Sequence, residues 1–315
     1  MHTRKIQLIA NATYSISLPK EWVQKNELRE KSEIQIKETR NNNLLLSPQR
    51  LDENLKSAEI ELDLEQYKKN IEGIVMTCYY KGYEKIIINS RSEIRKQYKL
   101  RLSRLIDYMS GTEITFEDSN TIIISNLLDK NKVDIRQTLY RIGLVMESSL
   151  EMISENSVDD HIEHNEIEID RLSHLITKIC SIAMTDIRVL SNSNIKDVNS
   201  IPSFLIIGKK LENVGDVIRD IAENGSKIDK VAKEIISEIS KEIDRGLRYM
   251  ISKGKRIFDK MDKGRITTIS SKIRDIRDES LKKSLYEILN HLKNIEEEIV
   301  TISFQERVIS KDPEI

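Results

Sequence analysis

From about residue 134 to residue 307 the chain is written almost without interruption as helix, with apolar side chains recurring at steps of three and four. A helix with one apolar stripe must bury it, so half of the molecule is committed to helix-on-helix packing. The spacing predicts helices over residues 135–153, 161–191 and 204–224, and three more over 228–261, 267–274 and 281–304. Two consecutive three-helix bundles are the simplest arrangement. The apolar positions do not hold a strict seven-residue period, which sets a pure coiled coil aside. Asn192-Ser193-Asn194 and the run ending at Pro202 mark the clearest break, and Gly254 and Gly264 flank an expected turn.

The first part of the chain, to about Ser47, has a different period. Arg4 to Leu8, Thr13 to Leu18 and Glu33 to Lys37 alternate polar and apolar residues, as strands with one buried face do, and Leu44-Leu45-Leu46 follows. Pro19 before Lys20-Glu21-Trp22-Val23 suits the start of a short helix. So few residues bury little surface alone, and pairing with a second copy is the expected remedy. Between these regions, residues 51–129 mix both periods. A helix over 64–80 ends before Gly82, a strand covers 85–88, a charged helix over 91–109 ends at Gly111, and strands cover 113–116 and 121–124. This small α/β module has no glycine-rich strand-to-helix loop, so a nucleotide fold has no support in it.

Charge limits the functional classes. Lys plus Arg number 51 and Asp plus Glu 52, for a net charge of -1, so any nucleic-acid contact must be local rather than histone-like. Cys78 and Cys180 lack metal-ligand or disulfide spacing and sit in apolar text, as buried cysteines do in a reducing cytoplasm. No leader-like start and no long uninterrupted apolar stretch is present, so neither secretion nor membrane spanning is expected.

Glu163, Glu166 and Asp170 lie near one face of a single predicted helix, and Glu212 with Asp216 repeats the four-residue spacing on the next. Antiparallel packing of the two would assemble hard oxygen ligands for magnesium, manganese, iron or zinc; a solvated acidic face explains the same spacing. His161, His164 and His174 are read as ordinary surface residues rather than ligands. No H-E-x-x-H, G-x-S-x-G or Walker sequence occurs, so an enzyme is not expected. Arg4, Lys5 and Lys20, with Lys25, Arg29 and Lys31, form a local basic cluster that Glu21, Glu27, Glu30 and Glu33 dilute; Asn11 and Thr13 at a loop tip add polar contacts to a phosphate clamp. Trp22 is read as a core or interface anchor, and the basic run from Arg95 to Arg104 as a solvated helix face or a site for an anionic partner.

Arg4-Lys5-Ile6-Gln7, Ala12 to Trp22 and Leu28 to Ile36 resemble the AbrB/SpoVT swapped-hairpin domain that opens archaeal PhoU-like regulators, with Thr13-Tyr14, Ser17-Leu18-Pro19-Lys20 and Trp22 as the specific part. Gly82 to Ile86 and Gly111 to Ile114 look like the linking module of those proteins, and the helical half looks like PhoU domains. The resemblance implies a multidomain α+β chain: a swapped-hairpin domain over 1–48, an α/β connector over 49–131, and PhoU-like bundles over 132–226 and 227–315. It also implies a cytoplasmic, non-enzymatic, phosphate-responsive regulator that binds DNA as a homodimer. Arg4, Lys5 and Lys20 would meet phosphates, and a divalent or trivalent metal would sit at Glu166, Asp170, Glu212 and Asp216. Weaker echoes, Glu238 with Glu242 and Asp275 with Asp278-Glu279, occur in the second bundle. The alternative is an adaptor acting on a phosphate transporter or sensor kinase without touching DNA. A metal-dependent phosphatase is the third reading, weakened by the lack of a nucleophile or general base.

Overall fold

The computed structural model describes residues 3–9, 13–38, 44–48, 58–157, 161–225, 228–251 and 263–310. The chain separates into two compact units, residues 1–57 and 58–315.

In the first unit β1 (Gln7–Ile9) pairs antiparallel with β2 (Thr13–Ser15), Leu8 opposite Tyr14. The helix α1 (Lys20–Lys25) starts directly after Pro19, whose extended backbone and missing N–H suit a helix start, and Asn26 closes it by donating from Nδ2 to the Trp22 carbonyl at 2.8 Å. A second antiparallel hairpin joins β3 (Ile34–Glu38) to β4 (Leu44–Pro48), from Ile34 opposite Pro48 to Glu38 opposite Leu44. Both strands of the first hairpin are shorter than the alternation predicts, because the backbone leaves the ladder after Ser15. No side chain whose burial is described in this unit is buried.

The second unit begins with a four-stranded sheet in the order β5-β6-β8-β7, formed by β5 (Glu59–Asp63), β6 (Lys85–Asn89), β7 (Thr112–Glu117) and β8 (Thr121–Asn126). β5 runs parallel to β6, and the remaining pairs are antiparallel. Leu62, Ile86, Ile88, Ile122 and Ile124 all bury on one face, as a two-residue period requires. Ile71, Val75 and Tyr79 of α3 (Ile71–Tyr80) and Leu102 of α4 (Lys96–Ile106) complete that core. The helix expected over 64–80 is two: α2 (Leu64–Tyr67) stops before Asn70, whose non-helical backbone precedes α3. The helix expected over 91–109 is confined to α4, since Ile94 is drawn into the core and Arg95 is extended. Gly82 ends α3 at φ +79, and a Cβ there would come within 2.7 Å of Ile182, so both backbone and packing select glycine.

Beyond a 3-10 turn over Lys130–Lys132 lie α5 (Ile135–Glu155), α6 (His161–Ala183), α7 (Ile187–Asn192), α8 (Ile201–Glu223), α9 (Lys230–Ile251), α10 (Lys263–Ile273) and α11 (Glu279–Ser310). Asp134, at the start of the first of these, caps α5 by accepting from the Arg136 and Gln137 backbone N–H groups at 2.8 and 3.1 Å. The helix expected over 161–191 breaks after Ala183, where the Asp186 carboxylate accepts the Arg188 N–H and starts α7. Pro202 sits in the first turn of α8, and Gly264 lies in the first turn of α10 rather than in a turn outside it; Gly254 falls outside the described residues. The helices group as bundles in which α5 packs on α6 and α9, and α8 on α6 and α11. Their buried residues, from Val133 to Ile302, form one continuous core.

Candidate functional site

α6 and α8 come together because α8 carries glycine where α6 is bulky. Gly215 faces Ile169 so closely that a Cβ would stand 3.1 Å from its side chain. Ser173 Oγ donates to the Gly208 carbonyl at 3.1 Å one turn away along the same seam. This closeness brings Asp170, next to Ile169, toward Asp216, next to Gly215. Glu166, one turn before Asp170, joins them: Glu166, Asp170 and Asp216 each offer a carboxylate oxygen within 4.8 Å of the others.

The carboxylates are strained electrostatically. Asp170 is pushed up to about 7, first by burial and then by Glu166, Glu212 and Asp216, with Lys209 opposing. Its Oδ1 is buried and accepts no hydrogen bond. Burial also raises Glu166 and Asp216, and in both the Arg219 guanidinium pulls the other way. Arg219 pairs with the buried Glu166 and approaches Asp216 at 3.7 Å, Asp220 at 3.6 Å and Glu223 at 3.5 Å. One guanidinium against three converging carboxylates leaves negative charge unmatched. An all-oxygen donor set with an orphaned buried oxygen suits a hard cation, and Glu166, Asp170 and Asp216 are the residues that would hold it.

Two of the five acidic residues expected at this site are outside that trio. Glu212 accepts from Lys209 at 2.6 Å on its own helix, near enough to Asp170 to raise it but not part of the group. Glu163 lies a turn before Glu166 and contributes only repulsion to it. Arg219 was not foreseen, although its position three residues after Asp216 is an ordinary i,i+3 ion-pair spacing. Also unforeseen is the wall that the α/β module raises beside the trio. The Tyr80 hydroxyl lies 2.6 Å from His174 Nδ1, and the Tyr108 ring meets the same imidazole edge-on at 6.4 Å. Burial pushes Tyr80 up to about 12, with Glu212 adding, and lowers His174. With Tyr80 protonated and His174 neutral, the direction of their hydrogen bond follows the imidazole tautomer, and either way Nδ1 is engaged by the phenol.

In the first unit Arg4 and Lys5 lie exposed just before β1, Thr13 opens β2 at the exposed end of the hairpin, and Lys20 is the exposed first residue of α1. Asn11 falls outside the described residues. The same unit exposes a set of large apolar side chains: Ile6 at 69%, Tyr14 at 74%, Ile36 at 64% and Leu44 at 66%, with Leu8, Ile9 and Ile16 more than half exposed. Trp22 is half-buried within this unit. In the α/β module the basic run is partly spent on structure: Lys99 bridges to Glu117 at 2.9 Å and Arg101 clasps Glu72 with two nitrogens.

Residues 7–54 match the family model described as "Antidote-toxin recognition MazE, bacterial antitoxin". No curated protein and no solved structure matches the chain. The match covers both hairpins and α1 and none of the residues of the carboxylate trio. The N-terminal unit is thus similar to the MazE antitoxin domain, and it precedes an α/β sheet module and a helical body in a multidomain α+β chain.

Proposed function

We propose that the protein is a non-enzymatic, cytoplasmic regulator that binds DNA as a homodimer through its N-terminal hairpins and carries a metal-binding helical sensor. The observation that carries this reading is the conjunction, in one unit, of the MazE-type match, the uncovered apolar side chains and the exposed Arg4, Lys5 and Lys20. A second copy covering the apolar face would double the basic cluster and set two phosphate clamps at a fixed spacing. The sensor reading is supported by the unmatched charge of Glu166, Asp170 and Asp216, and by the resemblance of the helical half to PhoU-like proteins, from which its phosphate response is taken. A bound cation would supply charge neutralisation there.

Salt-controlled enrichment of genomic DNA fragments tests this reading. Wild-type protein should select specific fragments, and the Arg4→Ala/Lys5→Ala/Lys20→Ala variant should lose the selection. Absent or unselective enrichment would move the assignment to the second reading, a protein-binding adaptor in which the hairpins serve only dimerisation. The description of the matched family, which names recognition of a protein toxin, favours that as the competitor.

A further inference from the structure

A cleft of about 390 Å³ runs between α8 and α11, walled by Lys210 on α8 and by Lys283, Glu287, Asn290 and His291 on α11. Lys283, Glu287 and Asn290 recur at four and three residues and so share one face of α11, while Leu285, Ile288, Leu289 and Leu292 point into the core.

The cations here differ from four paired ones on the helical body, although Lys230, Lys233, Lys241 and Lys293 are likewise without an ion pair among the described residues. Lys209 pairs with Glu212, Arg245 with Glu242, Lys272 with Glu238 and Lys282 with Glu279. Among the described residues neither Lys210 nor Lys283 has a carboxylate partner, so two ammonium groups face one cleft uncommitted. His291 adds a directed donor. Its Nδ1 is buried without a partner, and burial together with Lys210 disfavours the charged ring, with Glu287 opposing. A proton on Nδ1 would be buried without an acceptor, so the neutral ring carries it on Nε2. The wall is firm on one side, because Tyr286 is anchored by its hydroxyl donating to the Ser270 carbonyl at 3.2 Å. The volume lies within the range of small-molecule sites, roughly 300–1,000 Å³, and exceeds what one inorganic oxyanion fills.

We propose that this cleft binds a phosphorylated small organic molecule. Its phosphate lies between Lys210 and Lys283, and its polar organic part meets Asn290, His291 and Glu287, the last accepting from a ligand hydroxyl or amine. The site is separate from the carboxylate trio: Lys210 and Asp216, the trio's member on α8, are six residues apart and project roughly 120° from each other around the helix. The inference therefore stands or falls independently of metal and DNA binding.

Isothermal titration of the full chain with ADP and with glucose 6-phosphate, and with inorganic phosphate as a third arm, tests it. At least one organic phosphate should bind at one per chain, and the Lys210→Ala/Lys283→Ala variant should bind it about tenfold more weakly or worse, as expected for losing charge-assisted hydrogen bonds. Lys282→Ala, whose lysine is already paired, should bind as wild type does, and inorganic phosphate should bind more weakly than the organic ligand. Circular dichroism of the double variant confirms its helices, and Lys283→Glu provides a second perturbation at an exposed position. Failure of both organic probes at millimolar concentration, undiminished binding by a folded double variant, or inorganic phosphate binding as tightly as either probe would overturn the proposal.

Discussion

The Lys178 ammonium nitrogen stands 4.1 Å from the centre of the Tyr79 ring, joining α6 of the helical body to α3 of the α/β module, with Lys178 completely buried. The nitrogen makes no hydrogen bond, and the ring face and the Glu84 charge are the compensation it has. Burial, then Lys130, lowers Lys178 from 10.5 to about 7, while Glu84 opposes. Between those two values the unfolded chain binds the extra proton, so stability rises with pH across that window and levels off below it. Lys178→Met should stabilise the protein by about 1–3 kcal/mol at pH 7 and flatten this dependence. Urea midpoints at pH 7 and pH 9 check both; a variant less stable than wild type at pH 7 would show that the amine is compensated after all.

Arg136 ties both ends of the helical body together. Its guanidinium donates to the Asn194 and Met250 carbonyls at 3.1 Å each, pairs with Glu306 near the end of α11, and lies 5.5 Å from the centre of the Phe204 ring. Both partners of the ion pair are almost wholly buried, at 11% and 12% side-chain exposure. Arg136→Ala leaves Glu306 buried with only Lys196, at 3.0 Å, and should cost about 3–5 kcal/mol. Arg136→Lys should lose less but not recover wild-type stability, since it cannot reach all these acceptors. Denaturant midpoints of the two variants decide the order.

Asp170 carries the opposite sign. Its folded value of about 7 lies above the ordinary 3.8, so the folded chain holds the extra proton between them, and stability is lost as pH rises through that window. In chelator at pH 8, Asp170→Asn should be more stable than wild type by about 1 kcal/mol after discounting for partial exposure. Saturating manganese should erase that advantage by binding wild type alone. Thermal denaturation with and without the ion gives the answer, and an equal response of both proteins to manganese would remove Asp170 from the metal site.

Leu8 and Tyr14 face each other across the first hairpin and are 52% and 74% exposed. Leu8→Glu with Tyr14→Glu places like charges opposite one another on the surface that a second copy would cover. Sedimentation equilibrium should give a dimer for wild type and a monomer for the variant, and an unchanged dimer would place the interface elsewhere.

The helical half is legible because three- and four-residue apolar spacing leaves few alternatives over such lengths, and the segments expected from 135 to 153 and 204 to 224 are α5 and α8 almost residue for residue. The α/β module is harder to read. β5 was not foreseen, since Glu59-Ile60-Glu61-Leu62-Asp63 shows only two apolar positions among acidic ones, and its place comes from pairing with β6 rather than from its own pattern. At the carboxylate site, i,i+4 spacing identifies residues able to face one another, and Gly215 with Ile169 decides which do. Glu212 has the right spacing but meets Lys209 on its own helix first. Tyr80 and Tyr108 are about sixty to ninety residues from His174 in the chain, and no local pattern announces so distant a contact.

The single core that runs from Val133 to Ile302 also bears on how such a chain can be altered. α5 leans on α9 and α8 on α11, so a protein shortened after α8 would present two isoleucine-rich flanks to water instead of ending at a clean seam. Neither α5–α8 nor α9–α11 is portable alone: the two sets must be gained, lost or transplanted together.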